Sequence, residues 1–276
     1  MKFKEKISIY YTSLTPTEKK ICTKILDNPE IIIKNSIIDA GNRCDTSKSA
    51  MLRFAKKLGY SGYSEFKYAI SEDYDSKQND ETIDVNESFL KRISSLFAES
   101  VYNLGDLDYE LQLQQLAKMI DEYSYVKSIG IGNTAFCANQ LVYSLYSYNK
   151  FIECVGDCIQ FDYLKNCLNS EYLLIIFSVT CSETKYLDLV KTAKNKGAKI
   201  VVITMNNEHK LISLSDLSFI LPSQTSPLQN KKVLKQLDNR TMMYFFAEII
   251  SYYYGLHLEK KSALQLIFLY DKFHNH

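Results

Sequence analysis

Two groups of small hydroxyl-bearing residues and one group of cations are the parts of this 276-residue sequence whose side chains suit chemistry. Ser178-Val179-Thr180-Cys181-Ser182-Glu183-Thr184 carries hydroxyls at every second position. Several short donors beside the positive end of a helix dipole suit a phosphate monoester. Gly130-Ile131-Gly132-Asn133-Thr134 has the same character, since its glycines permit close backbone approach and Asn133 and Thr134 add side-chain donors to the amides of a helix start. It has only part of the dinucleotide glycine fingerprint, so a nicotinamide site is not expected. Cap and turn duty alone would also account for these Ser and Thr residues, whose hydroxyls bond their own backbone at such places.

The cations lie between positions 43 and 67, where Arg43, Lys48, Arg53, Lys56, Lys57 and Lys67 are opposed only by Asp45 and Glu65. Over residues 1–75 there are 13 basic and 10 acidic side chains, in a chain whose formal net charge is +1. A basic end on a neutral molecule points to a polyanion, although a solvated helix face has the same composition. Imidazole and thiolate chemistry is poorly supported. The His residues fall at 209, 257, 274 and 276, and the 7 Cys form no C-x-x-C pair, which fits free thiols in a reducing compartment better than zinc or disulfides. No metal, cofactor or catalytic residue is assigned. The enzyme alternative, an aldose-ketose isomerase of sugar phosphates, needs a general base and a ring-opening acid. Glu183 and His209 are the nearest candidates, and neither fits a catalytic pattern.

These residues need elements to hold them. Thr15-Pro16-Thr17-Glu18 is a capping box with proline at the first helical position, which predicts a helix over residues 16 to 28 with Ile21, Ile25 and Leu26 on one face. A brief helix follows over residues 36 to 43. After the turn Cys44-Asp45-Thr46, another runs from Ser47 to Leu58 and stops at Gly59. On that last helix Met51, Phe54, Ala55 and Leu58 form an apolar stripe, while Ser49, Arg53 and Lys56 point the other way, flanked by Ala50 and Lys57. Helix, short turn and basic helix together make the arrangement that enters a DNA major groove. Ser47 would then cap the reading helix, Lys48, Ser49 and Ala50 would lie near base edges, and Arg43, Arg53, Lys56 and Lys57 would meet phosphates. A three-helix bundle with a solvated face has the same periodicity.

Residues 75–87, DSKQNDETIDVNE, are acidic and lack aromatics, which is linker composition. The expected division is a helical domain over 1–75, a linker over 76–87 and a second domain over 88–276. In the latter, helical stretches at 88–104 and 109–122 precede short β-branched apolar runs at 125–131, 172–179, 199–204 and 217–221, separated by helical segments. That alternation predicts a parallel sheet in an open α/β sandwich, with ligands at the carboxyl ends of its strands. The helix expected over 233–256 is apolar almost all round, with Tyr244, Phe245, Phe246, Tyr252, Tyr253 and Tyr254. Intrachain core or a homodimer seam would cover it. The most apolar run, Met242 to Ile250, is short and contains Glu248, so no membrane span is expected. The start MKFKEKISIYY does not read as an export signal, so a cytoplasmic address follows.

The segments LTPTEKKICTKILDNPEIIIKNSI and MLRFAKKLGYSGYSEFK closely resemble the helix-turn-helix domain of RpiR-type bacterial transcription regulators. GIGNTAF and LLIIFSVTCSETKYLDLVKTAKNKGAKIVVITMN resemble the sugar isomerase (SIS) domain that such regulators carry. The resemblance implies a non-enzymatic regulator of carbohydrate metabolism: a helical domain on double-stranded operator DNA, coupled to a flavodoxin-like αβα sensor of a phosphorylated sugar, often as a homodimer or higher homo-oligomer. By position, the effector residues are Gly132, Asn133, Thr134, Ser178, Thr180, Ser182 and Thr184. Three departures stand out. Ser178-Val179-Thr180-Cys181 and one additional residue replace the usual Ser-x-Ser-Gly. Gly156-Asp157-Cys158-Ile159-Gln160 replaces an Asp-Pro-His-like loop, and Cys44-Asp45 puts an acid beside the DNA face. A vestigial effector pocket is the corresponding alternative.

Overall fold

In the computed structural model the chain enters its first long helix through the expected capping box. The Thr15 hydroxyl accepts from the Glu18 amide at 3.3 Å, and the Glu18 carboxylate accepts from the Thr15 amide at 2.8 Å. The structure describes residues 3–10, 13–78, 88–181, 184–207, 210–222, 225–226, 235–236 and 240–274. They form two compact units, one built on Met1–Tyr102 with Met205–Asn207 and Pro222–Asn239, the other on Asn103–Thr204, Glu208–Leu221 and Arg240–His276.

The first unit is helical: α1 (Phe3–Tyr10), α2 (Pro16–Asp27), α3 (Glu30–Ile33), α4 (Ile37–Arg43), α5 (Lys48–Lys57), α6 (Tyr63–Gln78) and α7 (Phe89–Tyr102). The stripe expected on α5 is the buried one, with Met51, Phe54 and Ala55 fully covered. They pack with Ile21, Cys22 and Ile25 of α2, and Phe66 of α6 gathers the rings of Phe3, Phe54, Tyr60 and Tyr63 around itself. Ser47 caps α5 by accepting from the Ala50 amide at 3.2 Å. The helix closes with the Gly59 and Tyr60 amides donating to the Lys56 and Ala55 carbonyls, the double bond of a Schellman end. The acidic stretch chosen as a linker begins within the last turn of α6, and residues 79–87 lie outside the described residues.

The second unit alternates as expected: α8 (Glu110–Glu122), β1 (Tyr125–Gly130), α9 (Thr134–Tyr146), β2 (Glu153–Val155), α10 (Cys158–Cys167), β3 (Tyr172–Ser178), α11 (Thr184–Asn195), β4 (Lys199–Thr204), α12 (Lys210–Leu214), β5 (Leu217–Ile220) and α13 (Arg240–His274). The strands form one parallel sheet in the order β2-β1-β3-β4-β5. Central β3 is buried along its whole length, which is why it reads as a continuous apolar run rather than an alternation. On one face, Ile129, Leu174, Ile176, Ile200 and Val202 pack against α10, α11 and α12. The other face carries α8, α9 and α13, with Ser128 donating to the Ala138 carbonyl at 2.8 Å and the Phe219 ring meeting Tyr109 edge-on and Phe246 at a tilt.

The aromatic helix expected over 233–256 is α13, which starts at Arg240 and runs on to His274. Its Met242, Met243, Phe246, Ala247, Ile250 and Tyr254 are buried in this unit, so the chain's own core covers one side. Phe245, Tyr252 and Leu256, at helical spacing on another side, are exposed. Among the described residues, no helix is long and apolar enough to cross a membrane.

Candidate functional site

The α4–turn–α5 segment is held by a close backbone approach. A Cβ on Gly41 would lie 3.0 Å from the Thr46 carbonyl oxygen and 3.3 Å from the Ser47 carbonyl carbon, so any side chain there would push the turn back from α4 by a few tenths of an ångström. Asp45 turns the corner at φ +54°, a left-handed conformation that Asp tolerates better than most residues. Its carboxylate is not left facing the surface unpaired. Lys24 of α2 donates to it at 2.6 Å, and that bond and charge, supported by Lys20, hold it below the ordinary carboxylate range. The same ammonium donates to the Arg43 carbonyl at 3.0 Å, covering the end of α4.

The cations of this segment separate into two kinds. Arg43, Lys48, Arg53 and Lys56 are exposed, and their side chains have no ion pair or hydrogen bond among the described residues. Ser49 is exposed beside them, with its hydroxyl 3.0 Å from that of Ser47, and Ala50 is half-buried. Lys57 departs from the sequence expectation of a phosphate contact. Its ammonium turns inward to the Ser13 carbonyl at 2.7 Å and the Glu18 carboxylate at 3.2 Å, bracing α5 against the start of α2. Lys67 similarly donates to the Asn35 carbonyl at 3.2 Å. Sequence reasoning missed Lys20 and Lys24: their spacing places both on one face of α2, but only the tertiary fold brings that face to Asp45.

In the second unit the strand order reverses between β1 and β3, which makes the crevice beyond their carboxyl ends a topological switch point. Both hydroxyl-bearing turns open there. A Cβ on Gly130 would lie 2.3 Å from the Thr134 carbonyl oxygen, so α9 starts directly against the strand end. Gly132 and Asn133 are exposed, and Asn133 stands at the N-cap of α9 with no side-chain cap bond. Thr134 is buried instead: its hydroxyl accepts from the Ile131 amide at 3.1 Å and donates to the Ile131 carbonyl at 3.0 Å.

Beyond β3, Ser178 is buried and accepts from the Cys181 amide at 3.1 Å, while Thr180 is exposed. Cys181, which replaces glycine in the resembling motif, takes φ +53°, so a cysteine holds the glycine-type corner. Its thiol is buried 3.2 Å from the Thr204 hydroxyl, and burial pushes its pKa up. A thiol in that state is a packing group, not a nucleophile. Thr184 begins α11, whereas Ser182, Glu183 and His209 lie outside the described residues. The neighbouring turn after β2 closes on itself, with Asp157 capping α10 through the Ile159 and Gln160 amides at 2.8 and 2.9 Å.

Residues 1–77 match the family model for the helix-turn-helix domain of the rpiR family, and residues 126–246 match that for the SIS domain. An HTH-type transcriptional regulator of Clostridium perfringens is 22% identical over 90% of this chain and 91% of its own. The HTH-type transcriptional regulator GlvR of Bacillus subtilis is 24% identical over 84% and 87%. Among solved structures, Vibrio vulnificus NanR complexed with ManNAc-6P covers 94% of this chain and 93% of its own at TM-score 0.54 and 16% identity. The sugar isomerase domain of an RpiR transcription factor from Sphaerobacter thermophilus covers 66% and 97% at TM-score 0.52 and 13% identity. These structural likenesses bear on the fold.

Proposed function

Because this chain belongs to the RpiR-type helix-turn-helix transcriptional regulators that carry a SIS domain, we propose that it is a cytoplasmic regulator whose α4–α5 surface binds double-stranded operator DNA and whose β1–β3 crevice binds a phosphorylated sugar. The observation that carries the DNA assignment is the division among the cations. A cation with an internal partner must give it up to reach a phosphate; Arg43, Lys48, Arg53 and Lys56 have none to lose among the described residues. Lys48, Ser49 and Ala50, just past the Ser47 cap, meet base edges, while Arg43, Arg53 and Lys56 meet phosphates. Lys57 serves as a brace.

The effector assignment rests on two turns, Gly132-Asn133-Thr134 and Ser178-Val179-Thr180, at adjacent strand ends beside the order reversal, with Ser182 and Thr184 following in the sequence. Amides and hydroxyls at a helix start favour an anion, and the NanR structure contains a ligand of the proposed class. Sensing rather than isomerisation fits these turns: their described groups are amides, hydroxyls and a buried thiol, and His257 is paired with Asp121 at 3.1 Å, four residues before β1 begins. The exposed stripe of α13, Phe245, Tyr252 and Leu256, supports a homodimer seam, which would set two reading helices on successive major grooves.

Thermal unfolding of the whole protein against a panel of hexose, pentose and N-acetylamino-sugar phosphates tests the effector reading. A ligand at a hundred times its dissociation constant adds about 2.7 kcal/mol of stability, a shift of several degrees. The same ligand must change affinity for the protein's own upstream DNA by the reciprocal coupling. A flat panel would favour a regulator with a vestigial pocket.

A further inference from the structure

The hydroxyl of Tyr186, on the first turns of α11, is buried and completes no hydrogen bond among the described residues. The residue is 2% exposed, and its ring packs on Phe161 of α10 at 5.5 Å between centroids. Its oxygen faces the Thr134 hydroxyl and the Ile131 amide, without completing a hydrogen bond to either. Both belong to the β1–α9 turn. A buried phenol left without a partner is unfavourable in an unliganded protein, so its position calls for a state in which it is used.

Several hydrogen-bonding groups share this point. The Ile131 amide, the Thr134 hydroxyl and the Tyr186 hydroxyl converge there, and the Ile131 carbonyl already receives the Thr134 proton. For Thr134 to donate to a ligand it must take its proton from the Ile131 carbonyl, and a side-chain rotation toward the ligand leaves the Ile131 amide as well. A second hydroxyl beside them removes that penalty, because it can accept from the amide and donate to the carbonyl in place of the first. Burial raises the phenol's pKa, so the proton needed for this exchange is present at any working pH.

We propose that Tyr186 is a positioning residue of the anion site: when a phosphate monoester enters the β1–β3 crevice, the Thr134 hydroxyl turns from Ile131 to a phosphate oxygen and the Tyr186 hydroxyl takes its place at the Ile131 amide and carbonyl. The proposal rests on the effector reading above and adds the device that releases Thr134. No covalent bond changes; the two hydrogen bonds between Thr134 and Ile131 break, and three form, from Thr134 to the phosphate, from the Ile131 amide to Tyr186 and from Tyr186 to the Ile131 carbonyl.

The test compares wild type, Tyr186→Phe and Thr134→Val as full chains, using inorganic phosphate and N-acetylmannosamine 6-phosphate as probes in sulfate-free buffer. Dissociation constants come from calorimetry and unliganded melting temperatures from circular dichroism. The expected result is that Tyr186→Phe binds both probes about tenfold more weakly while its unliganded melting temperature equals or exceeds that of wild type, because the phenol makes no bond without ligand. Thr134→Val loses binding. A plain packing role would lower stability and affinity together, and that outcome overturns the proposal. Equal affinity of Tyr186→Phe and wild type also overturns it while leaving the effector reading intact. Failure of the wild type itself to bind either probe removes both.

Discussion

Lys56 and Lys57 are adjacent, identical in charge and opposite in use. Lys56 stands in solvent, whereas Lys57 is fixed between the Ser13 carbonyl and the Glu18 carboxylate. Their divergence was not legible in the sequence, because the helical wheel puts Lys57 at the edge of the polar face and its acceptors come from another helix. Lys57→Met should cost about 1–2 kcal/mol of stability, measurable by urea unfolding, after discounting for partial exposure. Burial pushes the Glu18 carboxyl up, but the Thr15 amide and Lys57 outweigh it and hold it below its ordinary value of 4.5. A depressed carboxyl contributes stability that is present above about pH 4.5 and is lost as pH falls through its folded-state value. Thermal unfolding followed from pH 6 to about pH 3 should therefore show a loss that Glu18→Gln flattens.

At the scale of elements, what was legible in the sequence was what is local. Thr15-Pro16-Thr17-Glu18, Ser47 and Gly59 start and stop their helices through bonds within a few residues, so α2 and α5 lie where capping chemistry puts them. Four of the five strands were legible as β-branched runs, β2 being too short and polar to stand out, and their parallel direction from the helices between them. The strand order was not, and with it the fact that two turns 48 residues apart in sequence, at Gly130 and Ser178, open on neighbouring strand ends. Likewise the left-handed corner at Cys181 follows from the fold around it, since a cysteine gives no sequence signal for that conformation. Gly130→Ala is expected to be the most damaging single change at this site. Its methyl would enter the first turn of α9, destabilising the protein by about 3 kcal/mol or displacing the turn enough to abolish the ligand-induced melting shift. Wild-type stability and ligand response in this variant would show that α9 does not seat against β1 as described.

At the scale of the whole molecule, the proposed surface for a polyanion and the proposed crevice for a small anion lie on separate compact units. Two-fold operators require two copies of the first, and the proposed seam for pairing the chains is the exposed apolar stripe of α13. Tyr252→Glu combined with Leu256→Glu should convert a dimer into a monomer in sedimentation velocity at micromolar concentration. Melting temperature should change little, because both side chains are exposed, while operator affinity falls. A wild type that sediments as a monomer would remove the paired geometry. The most direct test of the central claim is the salt dependence of binding to the protein's own upstream DNA for wild type, Arg53→Ala/Lys56→Ala and Lys57→Met. Each phosphate contact adds about 0.9 to the slope of log affinity against log salt. The double variant is expected to lose about 2 from that slope while Lys57→Met keeps the wild-type slope, and an unchanged slope in the double variant would contradict the assignment of α5 to the DNA.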